Sequence, residues 1–240
     1  MGFSTRLTRC WESIRSTKDV WTLRFPPYVT GAYKPSLGDN APLKRLLDQQ
    51  IAWDLVTAAK MPVEVAAYNL CAARTEYLAV PGSKAAFISA LCASSSFPLA
   101  FPPEPIGADL YTDGGIGDIA PTSRLIQKGC TRIIAVVLRN PDKPERKKAS
   151  DFKSVFDVGR ACLDGMESEI VRGDLEQVVL VNRLIAAGVA PGKRTITLDV
   201  ILPDSPLGDP LDFSPVLTTA RRKAGWSAAE RFFNGKTRQP

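Results

Sequence analysis

The sequence predicts an α/β fold built on a mostly parallel central sheet. Three observations predict it. Strand-like and helix-like segments alternate along the chain. The run from Arg132 to Leu138, RIIAVVL, is continuously apolar, the mark of a strand covered on both faces. The 240 residues are 45% hydrophobic, with no internal repeat and no dividing linker, so residues 1–240 read as a single domain with a real core.

The elements follow in order. Leu7, Cys10, Trp11 and Ile14 recur at helical spacing, which predicts an amphipathic helix over about residues 4–17. A loop through Pro26, Pro27 and Pro35 separates it from a helix over Ala41 to Gln50, capped by Asn40. Met61 to Leu70 and Glu76 to Val80 read as two strands joined by a short turn. Ser83 starts a helix toward Cys92. Asp109 to Thr112 is a short strand that ends at Asp113-Gly114-Gly115. Pro121 opens a helix that Gly129 closes. After the strand at 132–138 comes a solvated basic loop, Arg139 to Lys148. Two helices are expected next, Phe152 to Arg172 and Leu175 to Ala187, split at Gly173-Asp174. Thr195 to Leu202 is the last strand, and Arg221 to Phe233 lie in the last helix.

The chain contains no His. This excludes a Ser-His-Asp triad, a Cys-His pair, His-ligated zinc or haem and an imidazole switch built from the chain alone. Acid–base chemistry falls to carboxylates, Lys, Tyr or Cys. The five Cys are Cys10, Cys71, Cys92, Cys130 and Cys162, without a CxxC pair, and read as free, mostly buried thiols. The net charge of +6 is mild and implies no nucleic-acid partner. Trp11, Trp21, Trp53 and Trp226 are scattered and read as core or partly buried anchors, not as a base-stacking platform. No stretch is apolar enough to span a bilayer, and the first residues carry no secretory signal, so a cytoplasmic or membrane-peripheral location is expected. No metal site and no nucleotide-binding loop is visible, and no cofactor is expected.

The strongest local signal is YTDGGIGD, residues 111–118. Asp113 stands where an apolar strand gives way to glycines, and Gly114 and Gly115 permit a tight turn and close backbone approach to the carboxylate. Strand ends of open α/β sheets gather active-site groups. Asp-Gly is also a common hairpin turn, so the motif alone does not establish catalysis. Asp118 reads as a cap for the Pro121 helix, or as a second acid. Ser94, Ser95 and Ser96 read as hydrogen-bonding residues at a helix end. Lys143, Arg146, Lys147 and Lys148 read as solvated charge that could also dock anionic head groups.

Residues 92–138 closely resemble the patatin-like phospholipase family. The resemblance rests on Ala93-Ser94, Pro98, Phe101-Pro102-Pro103, Asp113-Gly114-Gly115, Asp118, Pro121 and the Ile133 to Val137 strand, in that order. Trp11 to Val20 and Pro203 to Pro215 extend it in both directions, the latter toward bacterial members. It implies a three-layer α/β fold and a lipid acyl hydrolase, a serine esterase or phospholipase of lipid catabolism. It also implies a Ser–Asp dyad that needs no His. Asp113 would be the dyad carboxylate and proton acceptor, with Gly114 and Gly115 completing the motif.

The family's nucleophile lies in Gly-x-Ser-x-Gly between a strand and a helix. Only Gly2-Phe3-Ser4 and Gly225-Trp226-Ser227 place Ser two residues after Gly, and neither has the second Gly. Ser227 with Glu230 reads instead as a capping box. The resemblance therefore implies the C-terminal two-thirds of the catalytic domain, with the first strands, the oxyanion loop and the Ser elbow outside it. No nucleophile is expected in this chain, and no activity from the chain alone. An uncovered core face and open strand edges are expected, hence poor solubility or dependence on a partner. The expected partners are a lipid or ester substrate, a membrane surface and a complementing chain that supplies the strands and Ser. The alternative is a non-catalytic remnant that binds lipid or protein.

Overall fold

A computed structural model describes residues 3–24, 34–80, 82–142 and 147–236. Its helices are α1 (Phe3–Ser13), α2 (Ala41–Gln50), α3 (Trp53–Thr57), α4 (Lys84–Ser94), α5 (Thr122–Gln127), α6 (Val155–Ala186) and α7 (Pro215–Lys236). Its strands are β1 (Thr22–Leu23), β2 (Gly38–Asp39), β3 (Glu64–Asn69), β4 (Arg74–Ala79), β5 (Glu104–Ile106), β6 (Asp109–Asp113), β7 (Arg132–Val136) and β8 (Thr197–Ile201). The chain is mixed α/β. It divides into two compact units, residues 1–117 with 209–219, and residues 118–208 with 220–240. Lys143 and Arg146 of the basic loop, with Pro26 and Pro27, lie outside the described residues.

The first unit is organised by a four-stranded sheet in the order β4-β3-β6-β5. Every pairing in it is antiparallel. Burial alternates along β3, which turns Val65, Ala67 and Asn69 inward as the pleat requires. Helix α4 covers that face: Val65 packs with Phe87 and Ala90, and Ala67 packs with Ala93 and Tyr111. Ser83 caps α4 by accepting the Ala86 N–H, as its position predicts. Asn40 does not cap α2. The Asp39 carboxylate takes the Ala41 N–H at 2.8 Å, and the buried Asn40 Nδ2 has no hydrogen-bond partner among the described residues.

The second unit holds a two-stranded parallel sheet, β7 with β8. The parallel geometry expected of a central sheet is seen among the described residues in this pair alone. One face packs well. Ala135 and Val137 join Ala120 and Val171, and Ile133 joins Val178 and Ile196. The other face is bare: Val136 is 67% exposed and Leu138 73% exposed, with Ile134 beside them. The continuous apolar run is thus covered on one side only, against the two-sided cover that its composition predicts.

The two helices expected over 152–187 are one, α6, which runs through Gly173 and Asp174. Gly interrupts helical propensity but does not forbid helix. The tertiary bonds of Asp174 described below hold the segment in line. Ser227 lies inside α7, so it caps nothing, and Trp226 in the same helix is exposed rather than buried. The five cysteines are free thiols, as expected, but only Cys92 is buried, while Cys71 and Cys162 are exposed.

Candidate active site

Asp113 is the last residue of β6, and the backbone around it is tightly fixed. Its N–H donates to Ser96 O at 3.1 Å, and the Thr112 hydroxyl donates to the same oxygen. Ser96 is fully buried, with its own hydroxyl donated to Cys92 O at 2.7 Å. Ser95 donates to Leu91 O and Cys92 O. These serines close the last turn of α4, as read from sequence, and Ser96 ties that turn to the end of β6.

Register places Asp113 opposite Ala67. Cross-strand partners share a face, so the Asp113 side chain stands on the side of Tyr111 and α4. The next residues turn sharply. Asp113 Oδ1 accepts the Gly115 N–H at 2.8 Å, which opens a single 3₁₀ turn over Gly114–Ile116. Gly114 is buried, and a Cβ there would lie 2.4 Å from Ala66 O. Only Gly lets the two backbones approach so closely. The structure therefore brings Asp113, Gly114 and Gly115 together as one unit, within an antiparallel sheet rather than at the carboxyl end of a parallel one.

Burial pushes the Asp113 carboxyl above the ordinary carboxylate range, more than the Gly115 N–H pulls it down. Desolvation penalises the charged form, and one neutral amide donor compensates only in part. The result is a carboxylate with enhanced proton affinity, held rigidly at a strand end. That is the electrostatic character a general base requires.

Asp118, in the second unit, is buried beside Asp174 of α6. It does not provide the expected cap. Asp174 Oδ2 accepts the Ile119 and Ala120 N–H groups at 3.0 and 2.9 Å, and the Thr122 hydroxyl donates to Asp174 O. The entry to α5 is thus held by Asp174, a residue the sequence reading took for a break. The signal was available: Val171, Asp174, Leu175 and Val178 share one helical stripe, and an acid on an apolar stripe needs a buried partner. Burial, with the Asp118 charge adding to it, pushes Asp174 up to about 6.

Sequence reasoning also missed the cluster at the β3–β4 turn. Asn69 Oδ1 accepts the Cys71 and Ala72 N–H groups, both at 2.9 Å. Its Nδ2 donates to Asp109 Oδ2 at 2.9 Å, and the Tyr111 hydroxyl donates to Glu76 Oε2 at 2.8 Å. These bonds fix the turn and the start of β6, and so support the strand that ends in Asp113.

A model of the family described as Patatin-like phospholipase matches residues 13–126. Over that segment, just under half of the chain, the sequence is similar to that family. No curated protein matches it significantly. The matched segment contains α4, β6 and the Asp113 turn, whereas Asp174 of α6 lies outside it. Among the described residues, no helix is long and apolar enough to cross a membrane.

Proposed function

We propose that this chain supplies the carboxylate of a Ser–Asp dyad in a patatin-like lipid acyl hydrolase with the family's three-layer fold. The observation that supports it best is Asp113, a desolvated carboxylate of raised proton affinity at the end of β6. In this reading the Ser hydroxyl gives its proton to Asp113 as its oxygen bonds the acyl carbon. The ester C–O bond then breaks, and the proton passes to the leaving alcohol. Water then releases the acyl group by the same route. Gly114 and Gly115 hold the carboxylate in place.

The sequence has no Gly-x-Ser-x-Gly. The proposal therefore assigns the nucleophile, the oxyanion donors and the remaining sheet strands to polypeptide outside these 240 residues, in the same protein or in a complementing one. The 240-residue chain alone is expected to show no labelling by a serine-reactive fluorophosphonate and no short-chain esterase activity. Adding a polypeptide that carries the elbow is expected to restore both. Asp113→Asn is then expected to lower hydrolysis by about 10²–10⁴-fold. Labelling of the chain alone, lost on substituting one Ser, overturns the assignment.

A second reading, a binding protein without catalysis, draws on the bare apolar face of β7. Parallel strands are ordinarily covered on both sides, so a partner is expected there. Stable complex formation with no hydrolysis at all would decide for it.

A further inference from the structure

We propose that Thr112 is a positioning residue for the Asp113 carboxylate, and that it acts through the carbonyl of Ser96. The proposal rests on the dyad reading above and adds a second residue to the same site. The pairing of β5 with β6 ends at Tyr111, opposite Glu104. Pro102 and Pro103 precede β5 and have no N–H to extend the ladder. Tyr111 and Asp113, two residues apart, turn their N–H groups to the same edge of the strand. The Asp113 N–H therefore needs an acceptor that β5 does not supply. Ser96 O supplies it at 3.1 Å.

Thr112 makes that anchor rigid. It is buried, and its hydroxyl donates to the same Ser96 oxygen. Two donors use both lone pairs of the carbonyl. Ser96 is fixed in turn from α4: its N–H donates to Ala93 O at 3.1 Å and its hydroxyl to Cys92 O at 2.7 Å. The peptide linking Thr112 to Asp113 is thus clamped from both of its residues, which sets the direction in which the Asp113 side chain leaves the strand. The Gly115 N–H then aims the carboxylate through its bond to Oδ1 at 2.8 Å. Val in place of Thr112 has the same branched shape and suits a strand equally well, but has no donor. The strand end would then pivot about one bond on that edge. Thr112 touches no substrate in this reading. Its hydroxyl matters only through the place it gives Asp113.

The first measurement is amide hydrogen exchange on the 240-residue chain, which needs no nucleophile. In Thr112→Val the Gly115 amide is expected to exchange at least about tenfold faster, and by a larger factor than the amides of β3. Thr112→Ser, which restores a hydroxyl, is expected to keep the parent rate. An unchanged Gly115 rate in Thr112→Val, an equal rise across β3, or a Ser variant as fast as the Val one overturns the proposal. The second measurement adds the polypeptide that carries the Ser elbow. There Thr112→Val is expected to lower kcat about tenfold or more with KM unchanged, and Thr112→Ser to recover it. An unchanged kcat, or a loss carried by KM, overturns the proposal while the dyad stands. Faster exchange confined to Gly115, with no hydrolysis by the parent under any elbow-bearing polypeptide, does the opposite. The dyad reading then falls, and the anchoring of Asp113 by Thr112 is upheld.

Discussion

Two carboxyls in this chain, Asp113 and Asp174, are held by backbone N–H groups and still titrate high. In both, desolvation outweighs the hydrogen bonds. The sign of the consequence follows from linkage. Asp174 titrates at about 6 in the folded chain and near 4 when unfolded. Between those values the folded state binds the extra proton, so stability is fully present below about pH 4 and is lost as pH rises through about 6. Asp113 adds a loss of the same sign. Asp174→Asn separates the two. The amide oxygen can still accept the Ile119 and Ala120 N–H groups, and the amide N–H can donate to Asp118, with no charge to desolvate. The variant is expected to be more stable than the parent above pH 6 and no more stable below pH 4. Its urea midpoint is expected to fall less across that range. A difference between variant and parent that stays the same from pH 4 to pH 6 and above would contradict the assignment of Asp174. Of these residues the sequence made Asp113, Gly114 and Gly115 legible, because their signal is local: a strand, then glycines. For Asp174 the apolar stripe signalled a need for a buried partner but not which one, because Ile119 and Ala120 lie far off in sequence.

The same distinction governs the elements. β3, β4 and β6 follow from alternation and turn residues, α2 from spacing, and α4 from spacing and its Ser83 cap, all of which act within a few residues. The misreadings arise where tertiary contacts overrule local preference. α6 is one. Gly173 weakens the helix, yet Val171 and Val178 are buried on either side of it and Asp174 is bonded to the entry of α5. The continuous helix has a direct consequence. Gly173 has open space where a Cβ would stand. Gly173→Ala is therefore expected to stabilise the chain by about 0.5–1 kcal/mol, read as a raised urea midpoint with unchanged slope. Had the chain broken there into two helices with a left-handed residue, Ala would be strained and the midpoint would fall. β7 is the other misreading. Its apolar run predicts cover on both faces, but cover depends on what lies beyond the strand, which composition does not encode.

At the scale of the whole molecule, the bare face of β7, in a parallel sheet that has two strands among the described residues, departs from ordinary burial. A pair of strands is a marginal sheet, and apolar residues side by side in water favour association. Ile134, Val136 and Leu138 supply that surface, bounded at one end by the Arg132–Asp199 ion pair at 3.3 Å. The isolated chain is therefore expected to bind a dye specific for apolar surface and to aggregate as concentration rises. Val136→Lys with Leu138→Lys tests the cause. Both positions face solvent, so the change is expected to alter stability by no more than about 0.5 kcal/mol each. Dye binding and aggregation are both expected to drop. If they persist, the exposed surface lies elsewhere. If the parent chain itself binds no dye and stays monomeric, the face is covered in solution. A complementing polypeptide that docks on this face is expected to lose affinity for the double Lys variant, and unchanged affinity would place its contact elsewhere.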